Sequence, residues 1–408
     1  MKTTRILLLL LASFLFLQKI QAQDFIKLEG KVLAADSKEP IPFASIGIPE
    51  KGLGNICNEA GAFELKIPVA DKNAKVCFTA LGYKELCLSA GTFKAQNHTV
   101  FLEPANLQLA TVEIKAITAE SLVKEAIRRI PENYADKPVK YTFYQRQHTN
   151  INEQPAYIIE SVNEAYFNYP GKDYQLMVHK SRGMIMDRRF EDKMNREYIS
   201  FYDITNNSIL SKGNDFLHPS KFKNYNFTFL REELLGRDTI FIITFSPRPK
   251  RNGQENAGNS GKLFLQKKTL AIARIESQFN DALIENINGH FLLKVGEKMA
   301  KMDFTLESKS MQINYKRIGS RWYLHNLIIR ASFTKVYKNK PTPERNNNFR
   351  QLVVTNIQTE NPQEIPESER VQLYDNPYST APKDMNEAFW QQYNVLPLPE
   401  GFEKPAVQ

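Results

Sequence analysis

The chain has 408 residues, 42% of them hydrophobic, 11% aromatic and 24% charged, with 54 Lys and Arg against 45 Asp and Glu for a formal charge of +9. That balance excludes a disordered or low-complexity chain, and the length favours two or three domains at the usual ~100–200 residues each. The basic excess is mild and dispersed: the clusters Lys180–Arg196, Arg248–Arg251 and Lys335–Arg350 are mixed with acids or lie in Pro- and Asn-rich stretches, so nucleic-acid binding is not expected.

Residues 1–22 read as a secretory signal peptide. Lys2 and Arg5 supply a positive end, Ile6–Leu17 an apolar run, and Ala22 a small residue before the expected cleavage at Gln23. The apolar run is too short to span a bilayer, so the mature chain is expected to have no transmembrane segment.

From residue 24 to 115 the pattern is one of short strands separated by Gly and Pro. They are expected at Ile26–Leu33, Phe43–Ile48, Leu53–Cys57, Ala62–Ile67, Lys75–Thr79, Lys84–Ser89 and Thr99–Leu102, which makes a seven-stranded Greek-key sandwich the expected fold. Cys57, Cys77 and Cys87 all fall here, and an odd number leaves one unpaired. Cys77 and Cys87 are equidistant from Gly82, so a cross-strand disulfide and a pair of buried thiols both remain open.

These residues also carry a resemblance. Gly30-Lys31-Val32, Pro40 and Pro42 before Ala44, Gly54 with Asn58, Gly61 and Phe63, and Phe78 with Gly82 and Tyr83 together resemble the carboxypeptidase regulatory-like domain, a transthyretin-like sandwich. The resemblance departs at Asn55 and Cys57, where that family usually carries Thr. It implies an accessory module and no peptidase activity. A zinc peptidase needs a His-x-x-Glu pair and a third ligand, and none of His98, His148, His179, His218, His290 and His325 has Glu at the third following position.

The boundary of this unit is expected near Val112–Ala116. Residues 116–360 then read as a larger α+β domain with a curved antiparallel sheet, opened by a helix that Thr118 caps and Pro131 ends. Strands are expected from Tyr141, at Pro155–Phe167, Lys223–Leu230, Thr239–Phe245, Gly261–Gln266, Leu270–Phe279, Lys301–Glu307, Gln312–Arg317 and Trp322–Phe333. A further helical stretch is expected between Phe190 and Ile209, and no other helix is expected before the tail. GKLFLQKKTLAIARIESQF, INYKRIGSRWYLHNL and the tail around Trp390 are similar to segments of uncharacterised exported proteins. Residues 361–408 read as an extended strap anchored by Phe389 and Trp390.

Catalytic signatures fail one by one. There is no Gly-x-Ser-x-Gly elbow, and Gly253–Gly258 has the spacing of a phosphate loop but Asn259-Ser260 in place of Lys-Ser. Glu232, Glu233, Asp187 and Asp192 are candidate paired carboxylates with nothing to place them across a cleft. Tyr141, Phe143, Tyr144, Tyr166, Phe167 and Tyr169 would line a ligand face or, at alternating positions, a core. No cofactor and no metal are expected. The favoured reading is a non-catalytic cell-envelope protein of the periplasm or outer-membrane periphery of a Gram-negative bacterium, with the sandwich as interaction or scaffold module and an envelope protein, a hydrophobic molecule or a glycan as partner. A carrier holding a hydrophobic ligand in the curved sheet is the alternative, and an enzyme of unrecognised type the third.

Overall fold

The computed structural model describes residues 25–93, 98–105, 118–169, 173–196, 215–372, 375, 378 and 387–402. The signal peptide expected at 1–22, the boundary expected at 112–116 and positions 197–209 of the expected helical stretch lie outside them.

The first unit contains β1 (Phe25–Ala34), β2 (Ser45–Gly47), β3 (Gly54–Ile56), β4 (Ala62–Pro68), β5 (Lys75–Thr79), β6 (Leu86–Ser89) and β7 (His98–Leu102). They form two facing sheets of order β4-β1-β7 and β3-β2-β5-β6. Alternation decides what is buried: Leu28, Val32, Phe63, Leu65 and Ile67 from one sheet meet Ile46, Val76 and Phe78 from the other, each worth roughly 1.5–3 kcal/mol on burial. β7 joins β1 in parallel. Gly30 permits this, because a Cβ there would lie 1.9 Å from the His98 carbonyl oxygen. Gly61 closes the β3–β4 turn at φ +70°, where a residue with a side chain is strained.

The second unit begins with α1 (Ala119–Arg128), whose N-cap Thr118 accepts a hydrogen bond from the Ser121 amide at 3.1 Å. Pro131 does not end this helix. It lies at the start of a short second helix, α2 (Ile130–Asn133), where the missing N–H costs nothing. Next come β8 (Val139–Ile151), β9 (Gln154–Asn168), β10 (Asp173–Ile185), α3 (Glu191–Arg196), β11 (Tyr225–Leu235), β12 (Asp238–Pro247), β13 (Asn259–Gln266) and β14 (Ile272–Phe279). The chain continues through α4 (Asp281–Asn288), α5 (Phe291–Ala300), β15 (Met302–Ile318), β16 (Arg321–Tyr337), β17 (Lys340–Gln358) and α6 (Glu387–Trp390).

All ten of these strands make one curved antiparallel sheet, in the order β10-β9-β8-β17-β16-β15-β14-β13-β12-β11. Its inner face carries Ile275, Ile313, Tyr315, Leu327, Ile329 and Val354, and α1 adds Val123 and Ala126 to the same core. Among the described residues no helix is long and apolar enough to cross a membrane.

Several elements differ from expectation, beginning with β10, a strand where none was expected. The stretch read as two strands from Lys301 to Arg317 is the single strand β15, with irregularities at Leu306/Ser308 and Asn314/Tyr315. The helical hairpin α4–α5 occupies a segment where no helix was expected. The Pro- and Asn-rich stretch near Arg350 belongs to β17, paired on both sides between β16 and β8. Its asparagines are satisfied across the ladder, Asn348 accepting from Thr149 Oγ1 at 3.1 Å and Asn347 from Ser332 Oγ at 2.7 Å.

Candidate functional site

Two sheets that pack through apolar side chains lie about 10 Å apart and leave no room between them. Along β2 and β5 the sandwich and the large sheet meet differently. On the sandwich, the residues that point away from its core along β2 and β5 are Ser45, Gly47, Cys77 and Thr79, all small, and Lys75 at the start of β5. Opposite them, the outer positions of the large sheet carry Arg274, Gln312, Asn314, Lys316 and Asn326, long or polar. The result is a cleft of about 940 Å³ with walls from both units. Its ends are fixed by contacts between them: the Gly82 amide donates to the Leu234 carbonyl at 2.8 Å, and Arg237 pairs with Glu85 at 2.6 Å.

Lys316 is the central group. Its Nζ donates to the Gly52 carbonyl at 2.5 Å, and among the described residues no carboxylate is in ion-pair reach of it. Loss of hydration pushes its pKa down to about 7, so near neutrality the ammonium is easily lost unless an anion arrives. His325 is buried beside it; burial first, and the Lys316 charge second, hold the imidazole well below its ordinary pKa and so neutral. Its Nε2 lies 2.7 Å from Ser45 Oγ, while Nδ1 is buried with no hydrogen-bond partner. Arg274 is also pushed down by burial, which its contact with Glu276 only partly offsets. It donates to Gln312 Oε1 at 2.9 Å, and its Nε is a further buried donor without a partner.

The Ser45–His325 contact has the reach of a nucleophile and its base. The rest of such a device is missing among the described residues: no carboxylate orients Nδ1, and an imidazole held so far below its ordinary pKa is a weak base. What the cleft does offer is Lys316 and Arg274 beside unfilled space, the lining carboxylates Glu85 and Asp238 being paired with Arg237 and Arg317. Leu53, Leu81 and Leu235 contribute apolar lining beside them.

Cys77 and Cys87 lie directly opposite on β5 and β6 and form a disulfide in the cleft wall, whereas Cys57 is a buried free thiol. The signature residues build the sandwich and its edges. Pro40 bridges Leu33, Tyr83 bridges Pro104, Phe63 is in the core, Gly54 opens β3, Gly82 has φ +82°, and Pro42 reaches the cleft.

The candidate carboxylates are not brought together. Glu232 pairs with Lys267, Glu233 with Arg231 and Asp187 with Arg189. The first two are on β11, and Asp187 and Asp192 follow β10, the opposite edge of the sheet. Of the aromatic series, Tyr141 and Phe143 are in the inner core, with Phe167 and Tyr169 packed against it. Tyr144 faces the other way and donates to Glu160. Lys316, His325 and Arg274 escaped the sequence reading. Alternation marks Asn314 and Lys316 as outward, which ordinarily means solvent, and no local signal says that another domain covers them.

A second buried polar cluster holds the tail. Fully buried Glu160 accepts from Tyr144 Oη and from Nε of both Arg146 and Arg182 at 2.6 Å. Arg146 donates onward to the carbonyls of Pro397 at 2.7 Å and Leu396 at 2.6 Å, and the Arg182 guanidinium lies 4.1 Å from the Trp390 ring centre. Trp390 is only 2% exposed. From there the tail binds the sandwich, Asn394 exchanging hydrogen bonds with the backbone of Lys66 at 2.6 and 3.1 Å and Val395 accepting from Asn55 at 3.0 Å.

No curated protein matches the chain in sequence. Among solved structures it is similar to a DUF1329 family protein from Desulfovibrio piger, at 12% identity and a TM-score of 0.26, covering 61% of this chain and 96% of that one. A LolA superfamily protein from Nitrosomonas europaea aligns at 11% identity and 0.24, covering 63% and 99%. Lipovitellin aligns at 8% and 0.25, covering 61% and 28%. At such scores nothing is carried over from these three. The sandwich, by contrast, matches the CarboxypepD_reg-like domain family over residues 28–114, the family that its glycines, prolines and Phe63 resemble.

Proposed function

We propose that the protein is a non-catalytic, exported binding protein of the cell envelope, in which the sandwich and the large sheet hold a small anionic ligand in the cleft between them. The observation that carries this reading is Lys316, an ammonium with no carboxylate partner among the described residues, in a cleft of about 940 Å³. Buried donors are satisfied in most folded proteins. Here the donor Arg274 Nε and the ring nitrogen His325 Nδ1 are left without partners on the same walls, and a carboxylate or phosphate ester would give Lys316 the counter-charge it lacks. The ligand's body would rest on Leu53, Leu81 and Leu235.

Native mass spectrometry of the protein recovered gently from its own envelope fraction tests this, together with Lys316→Met. A stoichiometric acidic molecule that stays with the wild-type chain and is lost from the variant is the expected result. A bare wild-type chain whose melting temperature no phosphate or carboxylate compound raises would overturn the reading.

A further inference from the structure

A surface helix ordinarily turns its apolar stripe toward the core and its charges to water. α5 does the reverse. Phe291 is 76% exposed, Leu292 69%, Val295 39% and Met299 81%, and at about 100° per residue these four fall within one third of the helix circumference. They are four of the seven exposed large apolar residues among those described, the others being the scattered Val69, Phe101 and Leu230.

The inward side of the same helix carries Leu293 and Glu297. Glu297 is buried and tied down, accepting from the Phe304 amide at 2.9 Å and pairing with Lys294 at 2.8 Å. The orientation is therefore fixed by a buried charged contact, and rotation to hide the apolar face would break it. The capping agrees: His290 Nδ1 accepts from the Leu292 amide at 3.3 Å, and Lys301 ends the helix in the left-handed conformation.

Lysines are the charged groups nearest the exposed apolar stripe, with Asp303, Asp281 and Glu285 exposed further off. Lys294 and Lys298 border one edge of the apolar stripe, Lys301 follows the helix, and Lys338 is held beside Lys301 by a backbone hydrogen bond of 3.0 Å. An exposed apolar face edged by lysines on a short helix is the composition of an element that lies in the surface of an anionic bilayer, the apolar side chains entering the acyl boundary while the ammonium groups meet lipid phosphates. A soluble partner protein would not require the lysine edge.

We infer that α5 is a membrane-surface docking element that seats the protein on an anionic lipid leaflet through Phe291, Leu292, Val295 and Met299, with Lys298, Lys301 and Lys338 as the electrostatic contact. The rest of the molecule stays in water, and the cleft remains open to it.

Flotation with vesicles decides the matter, using the exported chain and two vesicle types, phosphatidylethanolamine with phosphatidylglycerol and phosphatidylcholine alone. The chain is expected to float with the anionic vesicles, less so as salt rises. A Phe291→Ser/Leu292→Ser/Met299→Ser variant should lose binding by about tenfold or more at an unchanged melting temperature. Lys298→Gln/Lys338→Gln should weaken binding to the anionic vesicles while leaving any residual phosphatidylcholine binding as it was. A chain that does not float, or one whose serine variant floats equally well, overturns the inference. So does a wild-type chain that is dimeric and fails to float while the serine variant is monomeric, since the face is then a contact between copies.

Discussion

At the scale of single residues, Lys316 makes a measurable statement about pH. Its pKa is depressed by loss of hydration to about 7, below the roughly 10.4 of an unfolded lysine. Between those values the unfolded chain binds more protons than the folded one, so this residue's contribution makes stability rise with pH from about 7 to about 10.4 and costs the most below 7. Lys316→Met should accordingly be the more stable protein at pH 6, by a few kcal/mol, with the advantage shrinking as the buffer is taken toward pH 10. Ligand binding moves the other way: if the charged ammonium holds the anion, the dissociation constant should weaken by about tenfold per pH unit above the midpoint. Denaturation and calorimetric titrations at pH 6, 7.5 and 9 would read both, and an affinity indifferent to pH would remove Lys316 from the ligand's contacts.

At the scale of elements, the tail is held by a charge cluster rather than by its aromatic pair alone. Burial works to raise the Glu160 pKa, and Arg146 and Arg182 overcome it and hold the carboxyl below its ordinary value. A depressed carboxyl contributes stability that is present above its unfolded pKa of about 4.3 and is lost as pH falls through the folded value. Glu160→Gln leaves two buried guanidinium groups short of a partner and should cost about 3–5 kcal/mol at pH 7. The Trp390 emission should shift toward that of an exposed indole, because Arg182 stacks on its ring. An unmoved spectrum with normal stability would mean that packing of Trp390 alone secures the strap.

The elements also show what could be read in advance. The sandwich strands were legible because Gly and Pro separate them and their apolar residues alternate. β10 and β17 were not: β17 carries Asn346, Asn347 and Asn348 where a buried strand usually has Val or Ile, and only the partners on β8 and β16 make those residues affordable. The α4–α5 hairpin was missed for a different reason. FLLKVGEKMA spaces its apolar residues for a helix, but the segment is short, it lies among strand-like stretches, and among the described residues its apolar face meets no core. The cleft was invisible because Ser45 and Lys316, 271 positions apart in the sequence, acquire meaning only when β2 is laid across β15.

At the scale of the whole molecule, the open question is whether the sandwich and the large sheet are one mechanical unit. The contacts between them are mixed: polar ones include Ser45 to His325 at 2.7 Å, Lys316 to Gly52 at 2.5 Å and Gly82 to Leu234 at 2.8 Å, and Phe43 stacks on Phe349 with ring centres 6.1 Å apart. Interfaces of that kind between domains usually permit relative motion. The tail changes the balance, since residues 387–402 lie on both units at once, Trp390 and Leu396 packing with Ile56 of the sandwich and with Tyr144, Val162 and Val353 of the sheet. The tail therefore acts as a clasp whose burial stabilises the pair more than either unit alone. Scanning calorimetry should give one cooperative transition for the intact chain and two for a chain lacking residues 387–408, the sandwich melting apart from the sheet at a lower temperature. Ligand affinity in the cleft should fall with the same deletion, because its two walls are no longer held in register. If the truncated chain still melts in one transition at the original temperature, the direct contacts between the two units unite them, and the tail serves some purpose other than holding the cleft together.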